Sequence, residues 1–125
     1  DVISMSGLTF QRAFELCAQL DRQAIGLQDN DGRTEDEVRA PVTPYLKASE
    51  RVLYVGGADG GDTLEPQLRN VNSDELLGEV LGFAATTDVA SWMKNHKTEG
   101  ALRILDSDQS LRYPTYITDA IAQLK

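Results

Sequence analysis

Cysteine occurs once in the 125 residues, at Cys17, so no disulfide can form within the chain. Cys17 shares an apolar face with Phe10, Ala13 and Phe14, where a thiol serves as a small hydrophobe. A single thiol fits a reducing, cytoplasmic setting. No apolar run approaches the roughly 18 residues of a membrane span, and no signal-peptide pattern opens the chain. Basic residues are also scarce, 12 Lys and Arg against 20 Asp and Glu, for a net charge of −8. Such a balance excludes a broad nucleic-acid-binding surface, because phosphates are repelled at long range. It leaves room for a nuclease site, where carboxylates are needed to hold cations. Internal repeats and low-complexity tracts are missing. So is an initiator methionine: the chain begins at Asp1, its first residues read as a strand, and a larger parent protein is expected.

What remains is the composition of one folded domain, 41% apolar and 26% charged, long enough to bury a core. Val2-Ile3-Ser4-Met5 reads as a short buried strand closed by Ser6-Gly7. Apolar residues from Leu8 to Leu20 recur at three- and four-residue spacing, which predicts an amphipathic helix entered at Thr9. Ala24-Ile25-Gly26-Leu27 is a second strand, stopped by "DNDG". Thr34 and Glu37 are spaced for a capping box, and Pro41 and Pro44 end the helix that follows, with a short resumption at Tyr45-Leu46-Lys47. Arg51 to Val55 is a third strand, closed by Gly56-Gly57. Strands separated by helices predict a parallel α/β sheet. Beyond "GADGGD" the pattern turns helical, over Thr63–Val71, Ser73–Leu81, Asp88–Lys94 and Thr98–Leu105. Pro114 suits the first turn of a last helix that ends near Leu124.

Ligands of parallel α/β sheets bind beyond the carboxyl ends of the strands. Asp29-Asn30-Asp31-Gly32 lies at such an end. Residues two apart on an extended backbone point the same way, so Asp29 and Asp31 can aim at one hard divalent cation. The plainer reading is a turn that caps the next helix. A calcium loop of the EF-hand kind is excluded, since it would require carboxylates at Leu27 and Val38. A second acidic stretch, Asp59, Asp62 and Glu65, follows the third strand. There Thr63 and Glu65 either face the same crevice, or Thr63 or Asp62 is an N-cap with Glu65 as a dipole-compensating acid. His96 reads as a solvated side chain near a helix end.

In this order the segments "VISMSGLTFQRAFELCAQL", "AIGLQDNDGR", "DTLEPQL", "HKTEGALRI" and "YPTYITDAIAQL" resemble the C-terminal TOPRIM region of OLD-family (overcoming lysogenization defect) ATP-dependent endonucleases. The resemblance covers nearly all of the chain. It implies a partial TOPRIM, Rossmann-like core over residues 1–67. A helical segment follows over residues 68–125, with the Lys97 helix packed back on that core. It also implies DNA cleavage at two Mg2+ or Mn2+ ions, in a phage-defence setting. Carried over by position, Asp29 and Asp31 are the Asp-x-Asp metal ligands. Thr63 and Glu65 match the element that helps hold the second metal, and Lys97 matches the lysine that stabilises charge on the reacting phosphate. ATP would act only through a domain outside this chain, and oligomers would form through that absent region.

TOPRIM sites also use a glutamate on the first strand, in a Glu-Gly setting, and no such motif precedes "DVISMSG". The resemblance therefore implies a TOPRIM domain without its first strand and helix, catalytically incomplete alone. The missing ATPase and TOPRIM portion, together with DNA, are the implied partners, and no membrane is. A second reading is a non-catalytic assembly module derived from a truncated TOPRIM domain. A primase or topoisomerase fits less well, because the C-terminal helices follow the OLD pattern.

Overall fold

A computed structural model describes residues 1–3, 5, 9–57, 60–83 and 88–124. Its elements are α1 (Phe10–Gln19), β1 (Ala24–Gln28), α2 (Glu35–Arg39), a 3-10 turn (Thr43–Tyr45) and β2 (Arg51–Val55). Five helices complete the chain: α3 (Leu64–Val71), α4 (Asp74–Leu81), α5 (Val89–Asn95), α6 (Lys97–Asp106) and α7 (Thr115–Leu124). Among the described residues this is a mixed α/β fold of seven helices and a two-stranded sheet with a helical C-terminal segment. No helix of these residues is long and apolar enough to cross a membrane.

β1 and β2 run parallel, in register from Ala24 opposite Arg51 to Gln28 opposite Val55. Gly56 N–H extends the ladder by donating to Gln28 O at 2.8 Å. Parallel strands need a crossover between them, and here α2 and the 3-10 turn supply it. Thr34 and Glu37 close the expected capping box, each side chain accepting from the other's backbone N–H. The 3-10 turn at Thr43–Tyr45 replaces the short helix expected at Tyr45-Leu46-Lys47: Leu46 is already extended, at ψ 145°.

The strand expected at Val2–Met5 does not form. Val2, Ile3 and Met5 belong to no strand, and Val2 and Ile3 are 102% and 74% exposed. A short apolar run marks a segment that can pair, but a strand exists only where it makes ladder hydrogen bonds with a neighbour. Ser4, Ser6, Gly7 and Leu8 lie outside the described residues, so the Ser6-Gly7 closure and the Leu8 start of the first helix do too. From Thr9, its N-cap, α1 follows the sequence pattern: Phe14 is buried and Cys17 half-buried.

The core has two parts. Phe14, Val38, Val42, Leu53 and Val55 are buried around the sheet, with Phe10, Ala24, Tyr45 and Leu46 against them. Leu68, Leu77, Leu81, Val89 and Met93 are buried among the helices, flanked by Leu64, Phe83, Trp92, Ile104 and Leu111. Helix α3 packs on α5 and gives Leu68 and Leu64 to the second part. α6 packs on α4 and α5, while α7 crosses back and lies on both strands. Tyr54 Oη donates to Gln123 Oε1 at 3.3 Å, and Gln123 Nε2 donates to Ser49 O at 3.0 Å, fastening the end of α7 beside the sheet.

Candidate functional site

The turn after β1, the start of α3, Met93 of α5 and one face of α6 line an open cavity of about 360 Å3. Asp29, Asp31, Thr63, Glu65 and Lys97 all line it. Its remaining wall is apolar, made by Leu64, Leu68, Met93, Ala101 and Ile104 with Gly100. Thus the structure brings together all five residues singled out from the sequence. They come from three stretches of chain, Asp29 to Asp31, Thr63 to Glu65 and Lys97 on α6. Asp59, named as a further acid, lies outside the described residues. Asp62 and His96 are not on the wall.

Asp29 and Asp31 do not converge by strand alternation. β1 ends at Gln28, and Asp31 sits in the left-handed region at φ 50°, followed by Gly32 at φ 78°. Asn30 Oδ1 accepts from Gly32 N–H at 2.8 Å, a side-chain turn that folds the backbone back on itself. Asp31 N–H donates to Asp62 O at 3.0 Å, which ties this turn to the loop after β2. The turn and the binding-wall readings of "DNDG" are therefore compatible: the turn is what presents both acids. Close packing holds it, since a Cβ at Gly57 (φ 133°) would come within 2.1 Å of Asn30 Nδ2.

Thr63 occupies the N-cap position of α3 with extended backbone, yet its side chain makes no capping hydrogen bond. The N-cap reading of its hydroxyl is thereby set aside, and the hydroxyl stays on the cavity wall. Glu65 is nearly enclosed, its side chain 12% exposed, and Lys97 Nζ reaches its Oε1 at 3.8 Å from a largely exposed position. Two neighbouring features are structural. His96 stacks on Trp92 with centroids 4.5 Å apart and an interplanar angle of 10°, its Nδ1 2.8 Å from Trp92 O. Arg103 lies over the Trp92 ring and pairs with Glu99 and Leu81 O.

One polar contact escaped the sequence. Tyr116, on the first turn of α7, donates from Oη to Asp29 Oδ1 at 3.0 Å. Nothing in "YPTYITDAIAQL" marks it, because α7 follows β1 by some 90 residues of chain and only the tertiary fold joins them.

Burial pushes the Asp29 carboxyl above its ordinary value of 3.8; the Tyr116 bond opposes this, and the charges of Asp31 and Glu65 add to it. Burial, followed by the charge of Asp29, also raises the Tyr116 phenol, which keeps its proton for donation. The folded chain thus holds the Asp29 proton to higher pH than the unfolded chain does. Ionising Asp29 costs stability as pH rises from 3.8 through its folded pKa. Accordingly, Asp29→Asn is expected to raise the melting temperature at pH 7. That gain should shrink to nothing as the pH falls below 3.8. Thermal unfolding across pH 3 to 8, followed by circular dichroism, checks both the sign and the window; a lower melting temperature at pH 7 contradicts it.

Three carboxylates and a hydroxyl are hard oxygen donors, and no cysteine or histidine is on the wall, which fits a magnesium-like cation. The cage is open: among the described residues no three acidic, histidine or cysteine side chains gather into a ready metal site. Magnesium commonly takes one or two carboxylates and fills its shell with water and substrate phosphate, so an open cage is compatible with it. No family model matches the chain, no curated protein matches its sequence, and no solved structure matches its fold.

Proposed function

We propose that the chain is part of a divalent-metal-dependent DNA endonuclease, its α/β core part of a TOPRIM fold of the OLD family. The observation that supports this reading is the single cavity lined by Asp29, Asp31, Thr63, Glu65 and Lys97. In this reading Asp29, Asp31 and Glu65 hold Mg2+ or Mn2+, with Thr63 as a neutral oxygen donor. Bound cations activate water and neutralise the leaving oxygen of a phosphodiester. Lys97 sits at the mouth, exposed enough to swing from Glu65 to a phosphate oxygen as charge builds there. The cations also offset the repulsion between an acidic chain, net −8, and DNA. A full two-metal set needs a carboxylate beyond those on the wall, so the residues here form an incomplete site.

The open cage favours a second reading, an assembly module that has lost catalysis. Equilibrium binding of manganese, followed through the paramagnetic resonance of the free ion, separates the two. Saturable binding at millimolar metal or below, abolished by Asp31→Ala, supports the nuclease reading. A chain that binds no manganese in that range belongs to the second.

A further inference from the structure

We infer that Tyr116 is a positioning residue for Asp29, fixing which of its carboxylate oxygens is offered to a bound cation. The inference rests on the metal-site reading above. Tyr116 Oη donates to Oδ1 of Asp29 at 3.0 Å, across 87 positions of sequence. The ring itself is clamped: a Cβ at Gly56 would lie 3.0 Å from its Cε1 and Cζ, so the phenol packs closely against the backbone just after β2. The helix that carries it is held on both strands and fastened at its far end by Gln123. A half-buried phenol with so little freedom is a fixed donor, and it commits Oδ1 of Asp29. The backbone N–H of Leu64, next to Thr63, also favours the charged form of Asp29. Asp29 is thereby oriented by the starts of two helices, α3 and α7, and its carboxylate shares the wall with Asp31 and Glu65.

This is the arrangement by which an outer hydrogen-bond donor orients a metal-binding carboxylate, and loss of such partners weakens metal binding by about 10–100-fold. Tyr116→Phe keeps the ring against Gly56 and removes only the donor. In the 125-residue chain the variant should bind manganese about tenfold more weakly while its melting temperature changes little. A merely structural role would lower the melting temperature and leave the affinity unmoved, which overturns the inference. If the parent binds manganese and Asp31→Ala does not, yet Tyr116→Phe matches the parent, the inference fails and the metal site stands. If the parent binds none, both fail. Should Tyr116→Phe not fold, fluorine NMR of the parent labelled with fluorotyrosine decides the matter. Magnesium should then shift the Tyr116 signal, while the signals of Tyr45, Tyr54 and Tyr113 stay in place. Saturable magnesium binding with an unmoved Tyr116 signal overturns the inference.

Discussion

Asp29→Ala combined with Asp31→Ala is expected to lower magnesium-dependent nicking of supercoiled DNA by about a thousandfold or more. The assay requires a chain that also carries, upstream, the glutamate-bearing strand of the TOPRIM reading. The size of the effect follows from what the acids do in that reading. Cations at such a site contribute several kcal/mol of charge stabilisation to phosphoryl chemistry. Asp29 and Asp31 are the two carboxylates that the turn after β1 presents to the cavity. Thr63 and Glu65 alone would leave one carboxylate to hold any metal. The double substitution should leave the fold intact, because neither side chain is in either part of the core. Unchanged helical circular dichroism would separate lost chemistry from lost structure. Full nicking by a folded double variant would end the nuclease proposal.

The largest effect on stability is expected from Leu53→Ala, a loss of about 2–5 kcal/mol. Leu53 is fully buried on β2, directly opposite Gly26 of β1. The sheet offers only two strands among the described residues, so its core is small and a cavity at its centre cannot close easily. A domain of this size is worth about 5–15 kcal/mol in total, which makes the loss a large share. Gly26 tests the geometry from the opposite side. A Cβ there would meet Leu53 Cδ1 at 2.8 Å, Phe10 Cε1 at 3.0 Å and Phe14 Cε2 at 3.1 Å. Gly26→Ala alone should cost about 1–3 kcal/mol by overpacking. In the Leu53→Ala background its cost should fall, because the closest of the three contacts is gone. Urea titrations of the four proteins give the coupling, expected between about 0.5 and 3 kcal/mol. Costs that simply add would contradict this account of the packing.

Local chemistry explains which parts of this fold were legible in the sequence. Thr34 with Glu37, Ser73, Asp88 and the paired glycines after β2 act over a few residues, and they mark the ends of elements from α1 onward. The five wall residues were legible for another reason. Four of them sit at element ends whose positions the same short-range signals set, and the resemblance to OLD-family endonucleases singled out Lys97. What was not legible depends on partners distant in sequence. Val2-Ile3 has the composition of a strand but lies exposed and unpaired in any ladder, and Tyr116 meets Asp29 only because α7 returns to the sheet. Strand alternation does not bring Asp29 and Asp31 to one wall: Asp31 reaches it through a left-handed turn.

Helix α3 carries Glu65 toward the cavity and, from the same helix, grips the loop that precedes it. Gln67 Nε2 donates to Gly61 O at 3.0 Å and Asn70 Nδ2 to Gly60 O at 2.7 Å. The next residue, Asp62, receives the amide of Asp31. The two acidic loops are thus geared to one short rod. A displacement of α3 along its axis would carry Glu65 and the anchor of Asp31 together, so the gap between the two acids is preserved while both move. Among the described residues Oε1 of buried Gln67 finds no partner, an outlay of about 1–3 kcal/mol for this linkage. The spacing of the acids is a property of a helix rather than of two pliable loops.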